Sequence, residues 1–380
     1  MRLIQSRSYV RALLCLSVLC AACGPDGSSN PTLNEVQLRE VWRLGAEGDG
    51  SGAEFADNAL VSRSQSGVVY VYDQMANRLD QIGADGVPLR RIGQTGQGPG
   101  EFETVVDILA GPRGGVLVLT LDGRLLEFDD DGAELAGRRV GVRLSTDSPL
   151  SFGPTGELRA AYLETPSGLD GSPARIGLLR LDDQGLDTIA EPADSPWDSE
   201  VTLGQELVSF KKYVAWLPSA VAAVAVGSRS EIGMRSPTGR FDVVQTPYVP
   251  VVFSAAERSD WERQNQFLRN RSGSPGRFPL VPDVKPTVRG LLVTPTGDVW
   301  VIRRTETSGK DPSSVGSIAG LPVTPRWFEP FLAEVVVDME FKTRVVGPAD
   351  LRVLEVWGDT IWGVRQGQLG EDVLVRMEAR

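Results

Sequence analysis

Three side chains with the chemistry to hold a cation or a polar ligand, Asp57, Asn58 and Asp107, stand just before or within short β-type segments. Carboxylate and amide oxygens are hard ligands suited to Ca2+ or another divalent metal, and carboxylates also act as general acids or bases. The competing reading makes all three strand-start or turn residues with solvated side chains. The chain of 380 residues has no histidine. That removes Ser-His-Asp and Cys-His nucleophile pairs, His-ligated zinc and an imidazole proton relay. Two other motifs suggest chemistry and fail on spacing. The glycine-rich phrases 43–55 (RLGAEGDGSGAEF) and 91–102 (RIGQTGQGPGEF) lack the Lys-Ser or Lys-Thr of a phosphate loop, and neither joins a parallel strand to a helix. Asp129-Asp130-Asp131-Gly132 lacks the spaced ligand ladder of a calcium loop and falls where sister segments have a plain hairpin turn. The expected cofactor set is therefore none, with Ca2+ or another divalent metal as the alternative.

Charge excludes a further class. Lys+Arg number 39 against 50 Asp+Glu, a net −11 with pI near 4.8. Nucleic-acid affinity rests on clustered cations, so no nucleic-acid partner is expected. The 34 arginines are scattered, as at 138–139 and 303–304, and read as solvated or paired surface positions.

Residues 1–22 read as an export signal. Arg2, Arg7 and Arg11 form a positive start, and 12–22 (ALLCLSVLCAA) is an apolar run too short to span a bilayer. The segment ends Cys20-Ala21-Ala22-Cys23-Gly24, and small residues before a cysteine resemble the lipobox of bacterial lipoproteins. That resemblance implies cleavage before Cys23 and acylation of its thiol, although Cys20 stands where leucine is usual. It also implies retention at the outer membrane or the periplasmic face of the cell envelope. Cys15 and Cys20 leave with the signal, so no disulfide supports the mature domain. The signal takes three arginines and no acids, leaving 36 Lys+Arg against 50 Asp+Glu, a net −14. Residues 23–33, rich in Gly, Ser and Pro, read as a flexible tether.

The elements that would position Asp57, Asn58 and Asp107 are strands. Runs such as 68–72 (VVYVY), 116–120 (VLVLT), 222–226 (AAVAV) and 299–302 (VWVI) alternate with a period of two between Gly, Pro and Asp turns. One turn-then-strand phrase recurs at Gly67, Gly114, Gly156, Gly297 and Gly358, with a degenerate copy near 218–226. A hairpin turn recurs at 85–86, 131–132, 184–185 and 238–239. Repeated four-stranded units predict an all-β, six-bladed β-propeller over 34–380, with the N-terminal strand completing the last blade. The tryptophans beside blade strands, including Trp300, Trp357 and Trp362, are expected to pack between blades. Ser254-Ala-Ala-Glu257 is a capping box, and Trp261, Gln264 and Leu268 share one face, so a short helical insertion is predicted near 254–270.

The phrase from Gly93 to Phe102, with Val105-Val106-Asp107-Ile108 after it, resembles the six-bladed propellers of bacterial exported proteins related to NHL-repeat proteins. The resemblance implies the fold and little about activity. Six-bladed relatives of the gluconolactonase type hold a divalent metal at the channel, which makes a metal-dependent hydrolase or lactonase the alternative function. The leading expectation is non-enzymatic: a monomeric, lipid-anchored module that binds a protein, peptide or glycan through its channel face.

Overall fold

The computed structural model describes residues 33–45, 55, 59–111, 114–141, 144, 150–164, 175–182, 185–201, 210–272, 278, 280–310, 317–318, 321–322, 325–366 and 372–380. The signal segment 1–22, Cys23 with all of the tether but Leu33, and both Asp57 and Asn58 lie outside the described residues.

Strand β1 (Asn34–Leu44) comes first in the chain. Next is a four-stranded sheet of β2 (Leu60–Arg63), β3 (Val69–Asp73), β4 (Arg78–Ile82) and β5 (Pro88–Ile92). The short pair β6 (Gln94–Thr95) and β7 (Glu101–Phe102) leads to a second sheet of β8 (Val105–Ala110), β9 (Val116–Thr120), β10 (Arg124–Phe128) and β11 (Glu134–Arg139). A third follows in β12 (Leu150–Phe152), β13 (Leu158–Glu164), β14 (Arg175–Asp182) and β15 (Gly185–Ala193), and a fourth in β16 (Lys212–Trp216), β17 (Ala222–Val226), β18 (Ile232–Arg235) and β19 (Phe241–Val244). Helix α1 (Ala255–Ser272) then interrupts the series. The remaining strands are β20 (Val288–Val293), β21 (Val299–Arg303), the short β22 (Gly309–Lys310), β23 (Ser317–Ile318), β24 (Leu321–Pro322) and β25 (Trp327–Phe328), then β26 (Phe331–Val337), β27 (Glu340–Gly347), β28 (Arg352–Trp357), β29 (Thr360–Gln366) and β30 (Asp372–Ala379). The longer ones form one eight-stranded sheet in the order β20-β21-β26-β27-β1-β30-β29-β28. Its two antiparallel halves meet only through β1, which pairs in parallel with β27 over Asn34–Gln37 and antiparallel with β30 over Leu38–Leu44. The expected N-terminal completion of the β28–β30 unit is therefore present; the junction to β27 was not anticipated.

The first strand of each unit lies innermost. β2 touches β8 and β28, β8 touches β12, and β20 touches both β16 and β28. Sheets radiating from such a ring are a β-propeller. Antiparallel succession then fixes which connections share an end. Those after each second and fourth strand lie where the inner strands begin, and those after each first and third lie at the other end.

Apolar side chains fill the spaces between neighbouring sheets, because each sheet is buried on both faces. Tyr70, Tyr72 and Phe102 meet Ile108, Val116 and Phe128 between the first two sheets. Leu119 and Leu125 meet Leu150, Leu158 and Leu179, Leu178 and Ala193 meet Val214 and Trp216, and Ala225 and Ile232 meet Val299 and Val336. Trp300, Phe331 and Val345 pack against Val353, Ile361 and Val375. The circuit returns to the first sheet where Trp362 and Leu374 meet Val69 and Val71. There Trp42 stands edge-on to Trp362 with ring centroids 5.5 Å apart.

The turn between first and second strands requires a left-handed residue. Gly67, Gly114, Gly156, Gly297 and Gly358 all have φ between 58° and 101°, a region that glycine enters without a Cβ clash. The degenerate copy keeps the same hydrogen bonds, Leu217 N–H to Val221 O and Ala220 N–H to Leu217 O, but places Ala220 at φ 62°.

Helix α1 shows the expected capping box. Glu257 N–H donates to Ser254 Oγ (3.2 Å) and Ser254 N–H donates to Glu257 Oε2 (3.4 Å). The face carrying Trp261 and Gln264 is buried, but it is largely polar, with Glu257, Asp260 and Asn265 beside them. Lys285, with almost no exposed surface, explains the burial: its Nζ lies 3.0 Å from Glu257 Oε1 and 2.9 Å from Glu329 Oε1 and donates to Thr305 O. A buried ammonium balanced by two carboxylates ties the helix start to the connection between β21 and β26.

Candidate functional site

The inner strands leave a problem that the side chains of their neighbours solve. Each inner strand is the edge of its own sheet, so half of its N–H groups have no ladder partner and face the central channel or the next inner strand. Glu355 on β28 accepts the Arg63 N–H of β2. Ser62 Oγ on β2 accepts the Ala110 N–H of β8 at 2.9 Å. Asp107 Oδ2 on β8 accepts the Leu150 N–H at the start of β12 at 3.1 Å. Three consecutive links of one kind thus join four inner strands.

Local irregularity aims the two carboxylates. The pairing of β8 with β9 shifts between Val105 and Asp107, and that of β28 with β29 shifts between Val353 and Glu355. A β-bulge inserts one residue and re-aims the next side chain. Asp107 and Glu355 are each the residue just past the bulge. β20 has the same shift between Val288 and Gly290, where no side chain follows.

Confinement makes these carboxyls reluctant to ionise. Both are half-buried, as channel-lining groups are. Loss of solvation pushes Asp107 up to about 7 against the opposing pull of its backbone donors. Desolvation likewise pushes Glu355 up to about 8, opposed by the Arg63 N–H and the Arg63 charge and reinforced by the charge of Asp107. Two carboxyls close enough to repel each other therefore hold protons near neutrality. Farther along, at the ends of their strands, the Arg63 guanidinium lies over the Trp357 ring, its Cζ 5.2 Å from the ring centroid. Arg63 Nη1 and Glu355 Oε2 are buried atoms with no hydrogen-bond partner. A cation on an indole face and a proton-bearing carboxyl, each with an unsatisfied polar atom, thus lie on the neighbouring inner strands β2 and β28.

Of the residues anticipated from sequence, Asp107 lies on this inner wall, and Asp57 and Asn58 lie outside the described residues. Arg63, Glu355 and Trp357 were missed as site residues. The repeated turn phrase gives the only signal that could have found them, since Arg63 and Trp357 stand one or two residues before its loops. Trp300 and Trp362 pack between blades as expected, and Trp357 meets the neighbouring blade through the Arg63 guanidinium rather than through an apolar cluster. Arg303 also departs from the surface expectation: it is buried and paired with Glu334 at 3.0 Å.

The glycine phrase 93–102 is an inter-sheet loop. Glu101 Oε2 accepts the Gly98 N–H (2.9 Å), filling the position a phosphate oxygen would take. Arg124 donates to the Gly96, Gln97 and Glu101 carbonyls, and Phe102 is buried between Tyr72 and Phe128. In the aspartate run, Asp129 Oδ1 accepts the Asp131 and Ala133 N–H groups, Asp130 accepts from Tyr70 and Gly115, and Asp131 pairs with Arg90. Among the described residues, no group of three or more acidic or cysteine side chains is placed to hold a metal. The described residues alone do not make a metal centre.

No protein-family model matches the chain, and no curated protein matches it. Solved structures do. A protein of Bacteroides fragilis assigned to the exported class is 11% identical, covers 92% of this chain and 100% of its own, and superposes with a TM-score of 0.51. A member of the DUF4221 family from Bacteroides vulgatus is 9% identical over 92% and 99% of the two chains, with a TM-score of 0.50. Regucalcin, a calcium-binding protein from Agrobacterium tumefaciens, is 10% identical over 92% and 98%, with a TM-score of 0.44. At these identities the likeness is one of fold.

Proposed function

We propose that the chain is a six-bladed, lipid-anchored propeller at the outer membrane or periplasmic face of a bacterial cell envelope, acting as a monomeric binding module for a protein, peptide or glycan. The observation that carries the binding reading is Arg63 over Trp357 on the two inner strands that the Glu355 carboxyl links, with the charge of Asp107 within reach of Glu355. An indole face stacks on sugar rings or apolar side chains, while the guanidinium and the proton-bearing carboxyls supply donors that fix a polar ligand. The blade count is supported by the six innermost strands β2, β8, β12, β16, β20 and β28, and by the apolar cluster between each sheet and the next. The long connections 245–287 and 304–330 both leave from the end where inner strands begin, opposite the end that carries Arg63 and Trp357, and support a partner surface separate from that pair. Attachment at Cys23 is supported by the lipobox-like run before it.

A second reading, a divalent-metal-dependent hydrolase or lactonase, draws on the two carboxyls titrating near neutrality and on the unpartnered Glu355 oxygen. It needs Asp57 and Asn58 to complete a ligand set. Thermal melts of the mature chain with panels of oligosaccharides and short peptides, and separately with millimolar Ca2+, separate the two. The binding reading expects a rise in Tm with a glycan or peptide class and none with Ca2+. A rise with Ca2+ alone, or turnover of lactones that depends on it, overturns the binding reading in favour of the enzyme. Palmitate labelling lost in Cys23→Ala tests the anchor.

A further inference from the structure

Arg63 is the last residue of β2 and Trp357 the last of β28, so the cation and the ring sit at the same end of adjoining inner strands. Other buried or half-buried arginines meet a carboxylate: Arg78 pairs with Asp80, Arg159 with Glu157, Arg303 with Glu334, and Arg365 with Asp350 and Glu40. Arg63 is half-buried and has no ion pair and no side-chain hydrogen bond among the described residues. Glu355 does not supply the missing charge, because desolvation pushes it up to about 8 and leaves it mostly protonated at pH 7. A poorly solvated cation without a counter-charge favours an anion. The guanidinium is also placed to take one. Nη1 is enclosed whereas Nε and Nη2 are not, and those two nitrogens form an edge that grips a carboxylate through parallel hydrogen bonds. The neighbouring turn has Gly67, where a Cβ would stand 3.5 Å from Nη2, so no side chain covers that edge from the turn.

The polar groups nearby narrow the ligand further. Glu355 accepts the Arg63 N–H, Ser62 the Ala110 N–H and Asp107 the Leu150 N–H, so each already serves the backbone. Little is left to read the many hydroxyls of a sugar, whereas a ligand with one carboxylate and one apolar group needs only Arg63 and Trp357. Because the guanidinium covers one face of the indole, the apolar group must meet the ring edge or the opposite face. A C-terminal residue carries both groups on one tetrahedral carbon and can bend around the ring. The carboxylate of a uronic acid lies in the mean plane of its sugar and points away from the guanidinium when that sugar stacks.

We infer that this site takes the free carboxyl terminus of a peptide whose last residue is apolar, with Arg63 holding the carboxylate and Trp357 the side chain. The inference rests on the binding reading given above and makes it specific. Glu355 tunes the affinity. Its proton leaves Arg63 uncompensated, and ionisation would give the guanidinium an internal partner and repel the ligand. The charges that act on Glu355 are Arg63 on β2 and Asp107 on β8. Trp362 stands opposite it on β29, Arg352 on its own strand is paired with Asp372, and Arg289, the one charged residue of β20, already has a partner.

The test is ligand-observed NMR of the mature chain at pH 7 with four probes: N-acetyl-Ala-Phe as the free acid, the same peptide as its amide, N-acetyl-Ala-Ser as the free acid, and digalacturonate. The Phe acid is expected to bind about tenfold more tightly than each of the others, the effect of losing one contact. Arg63→Gln brings it down to the level of the amide, and Trp357→Ala to that of the Ser peptide, in proteins shown to be folded by their melting curves. Raising the pH from 7 to 9 weakens it about fivefold in wild type and by about twofold at most in Glu355→Gln, which bears no charge there. Equal binding of acid and amide, or an acid preference that survives Arg63→Gln, overturns the inference and leaves the binding reading standing. Digalacturonate ahead of the Phe acid overturns it in favour of an acidic glycan. The same pH response in wild type and Glu355→Gln overturns the role of Glu355. No binding by any probe overturns the inference, and the binding reading falls with it only if neutral oligosaccharides also fail to bind.

Discussion

Replacing Asp107 by asparagine imitates the protonated carboxyl, and its effect on stability should depend on pH in a way the channel geometry dictates. An aspartate in the unfolded chain titrates near 3.8, whereas Asp107 in the fold is pushed up to about 7. Between those two values the folded state holds a proton that the unfolded state has released, so wild-type stability falls as pH rises from about 4 to about 7 and is level above that. The gap of about three pH units corresponds to an upper figure of about 4 kcal/mol at 1.36 kcal/mol per unit. Water in the channel screens a half-buried carboxylate, which lowers the figure to about 2–4 kcal/mol. The substituted amide keeps an oxygen for the Leu150 N–H and bears no charge at any pH. Asp107→Asn should therefore match wild type near pH 4, gain about 1 kcal/mol by pH 5, and gain the full 2–4 kcal/mol at pH 8. Urea unfolding of both proteins from pH 4 to pH 9 measures the difference directly. A difference that does not vary with pH, or a less stable variant at pH 8, would refute the assignment of Asp107 to a poorly solvated wall.

Three further outcomes follow from particular residues. Ala220 holds φ 62° where its five sister turns have glycine, so Ala220→Gly should stabilise by about 0.5–1 kcal/mol in chemical unfolding. Removing the Lys285 ammonium leaves Glu257 and Glu329 buried against each other, and Lys285→Met should cost about 3–5 kcal/mol at pH 7. That loss should shrink on acidification, because Glu257 already titrates above its ordinary value. Phe102 is fully buried, with ring centroids 6.1 Å from Tyr72 and 6.2 Å from Phe128, so Phe102→Ala should cost about 3–5 kcal/mol in equilibrium unfolding.

The architecture was legible because it repeats. Glycines at 67, 114, 156, 297 and 358 mark a turn that needs positive φ, and alternation after each of them marks the following strand. The helix at 254–270 was legible from a local rule, the Ser254–Glu257 box, and extends to Ser272. What that helix buries was not legible: its contact face carries Glu257, Asp260, Gln264 and Asn265, and only tertiary placement of Lys285 makes such a face burial-compatible. The channel group was hidden for a related reason. Asp107 drew notice as an acid in a strand, but Glu355 and Arg63 come from units 292 residues apart in sequence and meet only when the ring closes. The bulges that turn Asp107 and Glu355 inward leave no mark in residue type, since Val106 and Leu354 suit a regular strand equally well.

The most direct test of the central claim is ligand-observed NMR of an oligosaccharide panel and a short-peptide panel against wild type, Trp357→Ala and Arg63→Gln, with all three proteins shown to be folded by their melting curves. The channel account predicts that one class binds wild type and that both variants lose it. Binding that persists in both folded variants, or no binding by either class to wild type, would contradict it.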